Sequence, residues 1–179
     1  MTRMTDQATP PSRPAKSRWR GWAVNILLIA LVFGGVQWWK ARPLAHGQAP
    51  ALAGMDLAGQ RLDLRDYRGE PVLVHFWASW CPVCRLVDGA VASIAEDHPV
   101  ITVALQSGGP PEIRAFLREA GLDLPVIPDA YGEVSSRWGV AGVPATFVID
   151  GDGQIRYATV GASTGPGLRL RLWMANRAD

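Results

Sequence analysis

The sequence predicts an α/β fold, a mixed β-sheet flanked by helices on both faces, preceded by one N-terminal transmembrane helix. Two observations predict the sheet. Short apolar runs rich in β-forming residues alternate with stretches of helical spacing, and the last two runs are joined by the hairpin signal Gly151-Asp152-Gly153. A third observation, nineteen consecutive residues without a charge near the N-terminus, predicts the transmembrane helix.

Composition limits the class of function before any motif is considered. Hydrophobic residues make up 48% of the chain, charged residues 19%, and the formal net charge is only +2. Such a chain folds and offers no large basic surface, so we expect no nucleic-acid partner. Residues 54–179 are long enough to form one globular core.

The charge-free run covers residues 21–39. As a helix rising about 1.5 Å per residue, it spans a hydrocarbon layer of about 30 Å. Tryptophans lie near both ends, where indole rings favour the boundary between lipid and water. More Lys and Arg residues precede the run than follow it. By the positive-inside rule, this places a tail of residues 1–20 in the cytoplasm and residues 43–179 across the membrane.

A cleaved signal peptide is the alternative to an anchor. Its small-x-small site would be Ala51-Leu52-Ala53, which lies more than ten residues beyond the apolar run, farther than a cleavage region usually reaches. The run is also longer than a typical signal core. We therefore favour an uncleaved anchor, followed by a Pro- and Ala-rich tether over residues 40–53.

Residue spacing predicts the elements of the domain. Residues 55–64 alternate around Ala58-Gly59 and predict a hairpin, whereas PVLVHFWA (71–78) is apolar on both faces and predicts a buried central strand. Helical spacing takes over after Cys81 and ends near residues 97–99. The sequence then predicts strand 100–106, a helix within 108–122, strand 124–129, a short helix within 131–140, and strands 145–150 and 154–160.

The last stretch, GLRLRLWMANRA (167–178), fits two kinds of element. Its strict alternation suits a strand, whereas its length and the cap-like residues 163–166 before it suit a helix. We predict a helix.

The segment WASWCPVC, residues 77–84, contains both cysteines of the chain. Because Cys81 follows a buried strand and opens a helix, we expect its sulfur at the helix N-terminus, where unpaired N–H groups and the helix dipole stabilise a thiolate. Cys81 would be the exposed nucleophile. Cys84, one turn further and more buried, would resolve the mixed disulfide. Trp80 and Pro82 would flank the attacking sulfur.

A metal site and two inert thiols are the competing interpretations of this pair. A zinc site needs two further ligands, and His46, His75 and His98 lack ligand-like spacing, so we expect no metal. Two inert thiols at this spacing would be expected to pair in an oxidising compartment.

Two segments carry a resemblance to a known family. VLVHFWASWCPVC (72–84), followed by a helix, and GVPATFVIDGDGQI (142–155) resemble the two halves of a thioredoxin-fold active site, and the likeness extends from about Gly54 to the C-terminus. The chain is most similar to the membrane-anchored TlpA-like thiol-disulfide oxidoreductases, and within them to the suppressor-of-copper-sensitivity (ScsD-like) type. The resemblance implies a bacterial inner-membrane protein whose periplasmic domain exchanges thiols and disulfides with cysteine-containing proteins.

The resemblance also assigns a role to Val143 and Pro144. The matching proline of the thioredoxin fold is cis and faces the cysteine pair. Since proline has no N–H and cannot complete a sheet ladder, the backbone of Val143 is expected to pair with an extended substrate segment. The alternative is an ordinary proline at the entry of a strand.

His75 departs from the family pattern. Soluble thioredoxins have a buried aspartate at this position, six residues before the first cysteine, and several TlpA-like proteins have a glutamate where this chain has Val87. His75 is therefore a candidate proton relay for Cys84, or else a neutral core histidine. Glu70 and Asp88 are more remote candidates.

The predicted function is disulfide exchange with periplasmic proteins, without a cofactor. We favour a reductase over an oxidase because Pro82-Val83 supplies no histidine to stabilise the thiolate. A membrane electron donor would then keep the dithiol reduced. The alternative is a non-catalytic thioredoxin-fold module that holds a partner, such as a copper protein, beside Pro144. A peroxide-reducing enzyme is disfavoured because the sequence lacks the Thr-x-x-Cys pattern of peroxiredoxins.

Overall fold

The computed structural model describes residues 16–41 and 44–177. The chain divides into two compact units, 1–39 and 40–179. Most of the predicted cytoplasmic tail, residues 1–15, lies outside the described residues. Among those that are described, the first unit consists of most of one long helix, and the second holds the sheet.

Helix α1 covers Lys16–Ala41 and includes the whole charge-free run. Its described apolar side chains, such as Val24, Ile26 and Leu31, are more than half exposed. Within the residues that the structure describes, no helix is both long enough and apolar enough to cross a membrane. The transmembrane helix over residues 21–39 stays a prediction.

The described residues of the second unit form eight strands: β1 Gly47–Gln48, β2 Ala53–Met55, β3 Arg61–Asp63, β4 Val72–Trp77, β5 Val100–Leu105, β6 Val126–Asp129, β7 Ala145–Ile149 and β8 Gln154–Val160. Six of them form one sheet in the order β1-β8-β7-β4-β5-β6, and β2 pairs with β3 in a separate hairpin. β4, β5 and β6 run parallel, whereas the pairs β4–β7, β7–β8 and β1–β8 are antiparallel. The mixed sheet is confirmed, with β4 buried near its centre.

Helices cover both faces of this sheet, as the sequence predicts. They are α2 Arg85–Ala95, α3 Pro110–Ala120, α4 Glu133–Arg137 and α5 Gly165–Ala175. Leu73 and Trp77 of β4 pack in the core formed with α2, α3 and α5. Val74 and Phe76 pack in the opposite core, against which Val134 of α4 also packs. The period of two along β4 therefore divides its side chains between two cores.

The ambiguous C-terminal stretch is helical. Thr164 caps α5, its side chain accepting the Gly167 N–H. Leu168 and Leu172 lie one turn apart and are buried, whereas Leu170, which alternation alone would place with them, is exposed. The cap residues therefore predicted this element better than the alternation did.

The folded unit begins earlier than the sequence predicts. Leu44 and Leu52, expected in the tether over 40–53, are buried, and β1 pairs with β8. Two separated leucines among Pro, Gly and Ala residues show no period that indicates an element. Residues 44–53 therefore belong to the domain, whereas residues 42 and 43 lie outside the described part of the chain.

Candidate active site around Cys81 and Cys84

The two cysteines form a disulfide between the end of β4 and the start of α2, with their Cα atoms 5.4 Å apart. α2 begins at Arg85, so Cys84 is its N-cap residue and Cys81 lies in the turn before the helix. The sequence predicted Cys81 closer to the helix itself. The Cys84 N–H nevertheless donates to Cys81 Sγ at 3.2 Å, so one backbone N–H at this helix end does face the first sulfur.

The cysteines differ less in exposure than expected. Cys84 has no exposed surface, but Cys81, predicted to be an exposed nucleophile, is only 4% exposed in the disulfide form. The side chains beside it in sequence are far more exposed: Trp80 at 58% and Leu86 at 77%. We call Trp80, Pro82, Val83 and Leu86 the apolar rim, since all four are exposed and apolar. Leu86 is an apolar residue in the first turn of α2, yet its side chain faces solvent and not the core.

Val143 lies opposite the cysteine pair. Its carbonyl oxygen is 3.6 Å from Cys81 Sγ. The Val143–Pro144 peptide bond is cis, the isomer that the resemblance implies. Pro144 is buried, and its carbonyl accepts the Gly161 N–H at 2.8 Å, just before β7 begins. That this stretch binds substrate stays a prediction.

The loop after β5 holds the turn that carries Cys81. The Ser79 N–H donates to Ser107 Oγ at 2.9 Å, and the Trp80 indole N–H donates to the Gln106 carbonyl at 3.1 Å. Gln106 has φ of 45°, a left-handed conformation uncommon for a residue with a side chain. The sequence analysis missed Gln106 and Ser107, because no local pattern connects them to a turn more than twenty residues earlier.

His75 lies in the middle of β4 and has no exposed surface. On the β7 side, His75 Nδ1 is 2.9 Å from Thr146 Oγ1. On the α2 side, His75 Nε2 is 3.9 Å from Asp88 Oδ1. The structure therefore brings His75 and Asp88 together inside the core. Glu70, the other remote candidate, is exposed before β4.

Chemically, the site holds the oxidised form of a two-electron couple. Breaking the Cys81–Cys84 bond takes two electrons and leaves two sulfurs, each able to carry a proton. In the same core as the cysteines, the Trp77 ring stacks on the Phe116 ring of α3, with their centroids 5.2 Å apart. Arg85, the first residue of α2, carries a positive charge, and its guanidinium lies 5.5 Å from the Phe116 ring centroid.

Comparison with known proteins gives a family match and several relatives. The family model described as AhpC/TSA matches residues 45–158, well over half of the chain. The thiol:disulfide interchange protein DsbE of Allochromatium vinosum is 35% identical over 145 residues, covering 77% of this chain and 80% of that protein. The thiol-disulfide oxidoreductase ResA of Geobacillus thermodenitrificans is 30% identical over 128 residues, covering 69% of this chain and 74% of that protein.

Solved structures share the fold. A Chlorobium tepidum protein assigned as a thiol:disulfide interchange protein DsbE superposes with a TM-score of 0.66 at 28% identity, covering 74% of this chain and 99% of that chain. The thioredoxin-like α/β fold is thereby confirmed for the second unit.

Proposed function

Since the chain belongs to the AhpC/TSA family, we propose that it is a protein thiol-disulfide oxidoreductase that acts through Cys81 and Cys84. Relatives that are interchange proteins and oxidoreductases support redox chemistry of this kind. The observation that carries the proposal is the disulfide itself. It joins the two cysteines at the start of α2, with Val143 opposite and the apolar rim beside it.

The proposed reaction moves two electrons from the dithiol to a substrate disulfide. The Cys81 thiolate attacks one substrate sulfur, a mixed disulfide forms, and the other substrate sulfur leaves as a thiolate. Cys84 loses its proton and attacks Cys81 Sγ, which releases the second substrate thiolate and closes the Cys81–Cys84 bond. His75 is the candidate relay for the Cys84 proton. The released thiolates take up protons from solvent.

Substrate binding is assigned to four residues beside the sulfur. Trp80 and Pro82 belong to the apolar rim and would cover apolar side chains of an unfolded substrate segment. Val143 and Pro144 would offer backbone to an extended segment next to Cys81 Sγ. The 3.6 Å approach of the Val143 carbonyl to that sulfur supports this placement.

For direction we propose a reductase of the TlpA-like, ScsD-like kind. The Pro82-Val83 dipeptide places no charged or histidine side chain between the cysteines, so it offers no strong stabilisation of the thiolate that would make the pair a strong oxidant. Such a reductase needs a membrane electron donor for thiols, and its substrates would be periplasmic proteins with cysteines.

The reduction potential tests both activity and direction. The full-length chain is equilibrated in glutathione buffers, with Cys81→Ser as the control that cannot form the disulfide. A potential of about −270 mV, typical of thioredoxin, supports a reductase, whereas one of about −120 mV, typical of strong periplasmic oxidants, reverses the direction. A pair that does not exchange with glutathione would overturn the enzyme assignment in favour of a binding module.

We further propose that residues 21–39 anchor the chain in the inner membrane, with the N-terminus cytoplasmic and the second unit in the periplasm. The support is the nineteen-residue charge-free run, the excess of basic residues before it, and helix α1 over the whole of it.

Cell fractionation tests the anchor. In a bacterial host, we expect the full-length chain to stay with membranes after alkaline extraction, and the second unit to be digested by protease only once the outer membrane is opened. Mass spectrometry of the recovered protein should find residues 1–50 still attached. A shorter chain beginning after Ala53, released as soluble protein, would support the signal-peptide alternative instead.

A further inference from the structure

Besides the indole N–H of Trp77, three side-chain polar atoms in the core that contains Cys84 have no hydrogen-bond partner within the described residues. They are Nε2 of His75 and both carboxylate oxygens of Asp88. His75 has no exposed surface and Asp88 is only 3% exposed. A buried charge without partners is costly, so an unpartnered carboxyl group in a core requires a specific reason.

Asp88 shares a helix face with Cys84. The Asp88 N–H donates to the Cys84 carbonyl at 2.9 Å, which is the i to i+4 hydrogen bond of a helical turn. Side chains four residues apart on a helix are neighbours, about 5–6 Å apart at Cβ. On the opposite side, β4 alternation turns His75 toward the same core as Leu73 and Trp77, the core that contains Cys84.

A surface cavity of about 310 Å³ reaches Asp88 from the outside, between α2 and α3. Its lining includes Asp88 together with Arg85 of α2 and Phe116, Glu119 and Leu122 from α3 and the loop after it. The exposed charged groups at this cavity are Arg85 and Glu119. On the β7 side, the Thr146 hydroxyl contacts the His75 imidazole and carries no charge. Asp88 therefore faces the buried imidazole with its carboxyl group and, as a residue, also lines a cavity that opens to solvent.

We propose that His75 and Asp88 act as a pair that accepts the Cys84 proton during resolution and passes it to solvent through the cavity at Arg85 and Glu119. The proposal rests on the proposed thiol-disulfide exchange. Both residues would act on the reaction by exchanging a proton with the Cys84 sulfur. The 3.9 Å between His75 Nε2 and Asp88 Oδ1 places the imidazole close enough for a small side-chain movement to bring the two groups into hydrogen-bond contact.

The proton and electron balance is simple. When Cys84 resolves the mixed disulfide, its S–H bond breaks, its proton passes to the pair, and its electron pair forms the new bond to Cys81 Sγ. The bond between Cys81 and the substrate breaks, and the substrate leaves as a thiolate. The pair then returns its extra proton to solvent. In the reverse direction, the pair supplies the proton that Cys84 takes up when the disulfide opens.

Stopped-flow mixing of the reduced full-length chain with the coloured disulfide dithiobis(nitrobenzoate) separates the two steps. Attack by Cys81 releases the first nitrothiobenzoate and resolution by Cys84 releases the second. We expect Asp88→Asn to slow the second phase about tenfold or more at neutral pH, while the first phase stays within about twofold of wild type. We also expect its second phase to rise steeply with pH, because hydroxide must replace the pair, whereas the wild-type profile is flatter.

Two variants complete the test. His75→Gln should show the same slow, pH-dependent second phase, and it decides the question if Asp88→Asn fails to fold by circular dichroism. Glu96→Gln also replaces a carboxyl group by an amide, but at an exposed position just after α2, and this variant should behave as wild type. A folded Asp88→Asn or His75→Gln protein with the wild-type second phase and pH profile would overturn the role of the pair as proton acceptor. A wild-type chain that releases neither chromophore would instead overturn the proposed function on which it rests.

Discussion

The backbone N–H of Cys84 lies 3.2 Å from the sulfur of Cys81. The second cysteine therefore contacts the first in two ways, through its own sulfur and through a main-chain donor. Only the sulfur is lost on substitution by serine, so the donor that favours a thiolate at Cys81 remains in that variant.

Trapping of a mixed disulfide follows from this arrangement. We expect Cys84→Ser to accumulate a covalent adduct with a disulfide-containing protein, at least about tenfold above Cys81→Ser, because resolution requires the second sulfur. Non-reducing electrophoresis and mass spectrometry measure the adduct. More adduct on Cys81→Ser than on Cys84→Ser would reverse the roles assigned to the two cysteines.

Ser107 is expected to stabilise the turn before Cys81. Its hydroxyl accepts the Ser79 N–H and donates to the Leu105 carbonyl at 3.0 Å. Ser107→Ala leaves that N–H without its acceptor, so we expect the free energy of unfolding to fall by about 1–2 kcal/mol in urea titrations. Ser136→Ala, at an exposed position of α4, should change it by less than about 0.5 kcal/mol. Equal small changes in both variants would contradict this role.

Two glycines should respond oppositely to alanine. A Cβ at Gly54 would lie 2.6 Å from Cγ2 of Ile127, a buried branched side chain of β6 that has little freedom to move. We expect Gly54→Ala to destabilise the protein by about 1–3 kcal/mol. Gly89→Ala, in the middle of α2 with no atom within 4 Å of the new Cβ, should stabilise it by about 0.5–1 kcal/mol. Thermal melting of both variants checks the signs.

Asp63 should make folding stability depend on acid pH. Hydrogen bonds from the Arg65 and then the Arg61 side chains hold the pKa of its carboxyl group well below the usual range. The folded state therefore favours the carboxylate, and its contribution is present above the unfolded pKa of about 3.9 and lost as pH falls below it. Both arginine side chains are mostly exposed, so solvent screening keeps the contribution modest.

Asp63→Asn tests that linkage. We expect wild type to exceed this variant in free energy of unfolding near neutral pH, with the difference shrinking steadily below about pH 4. Asp66→Asn, which removes the same charge from an exposed neighbour, should show a smaller difference at neutral pH. A wild-type advantage that stays constant down to strongly acidic pH would mean that the hydrogen-bonded carboxylate is not its source.

The sequence predicted most of the fold because most of it is encoded locally. β4 is a continuous apolar run, α3 begins at a proline and ends before Gly121, and the turn between β7 and β8 has its glycines. β1 is different, since it has two residues and pairs with β8 more than a hundred residues later. A strand of that length has no periodicity, and only the presence of its partner makes it a strand.

The candidate site was likewise predictable where it is encoded locally and not where it depends on contacts between distant segments. The cysteine pair and Val143-Pro144 were recognisable because each lies in a short diagnostic segment. Ser107 and Gln106 were not, since their contacts with Ser79 and Trp80 cross from one loop to another. Asp88 had a usable signal, the four-residue spacing from Cys84 that places both on one helix face.

The main sheet ends on a short strand at each side. β1 has two residues and β6 has four, and Pro128 within β6 has no N–H to offer a further strand. An unfolded polypeptide that meets this domain therefore finds little free sheet edge on which to extend. If the chain exchanges disulfides with other proteins as proposed, this short-edged sheet would limit strand pairing with partners that are not fully folded.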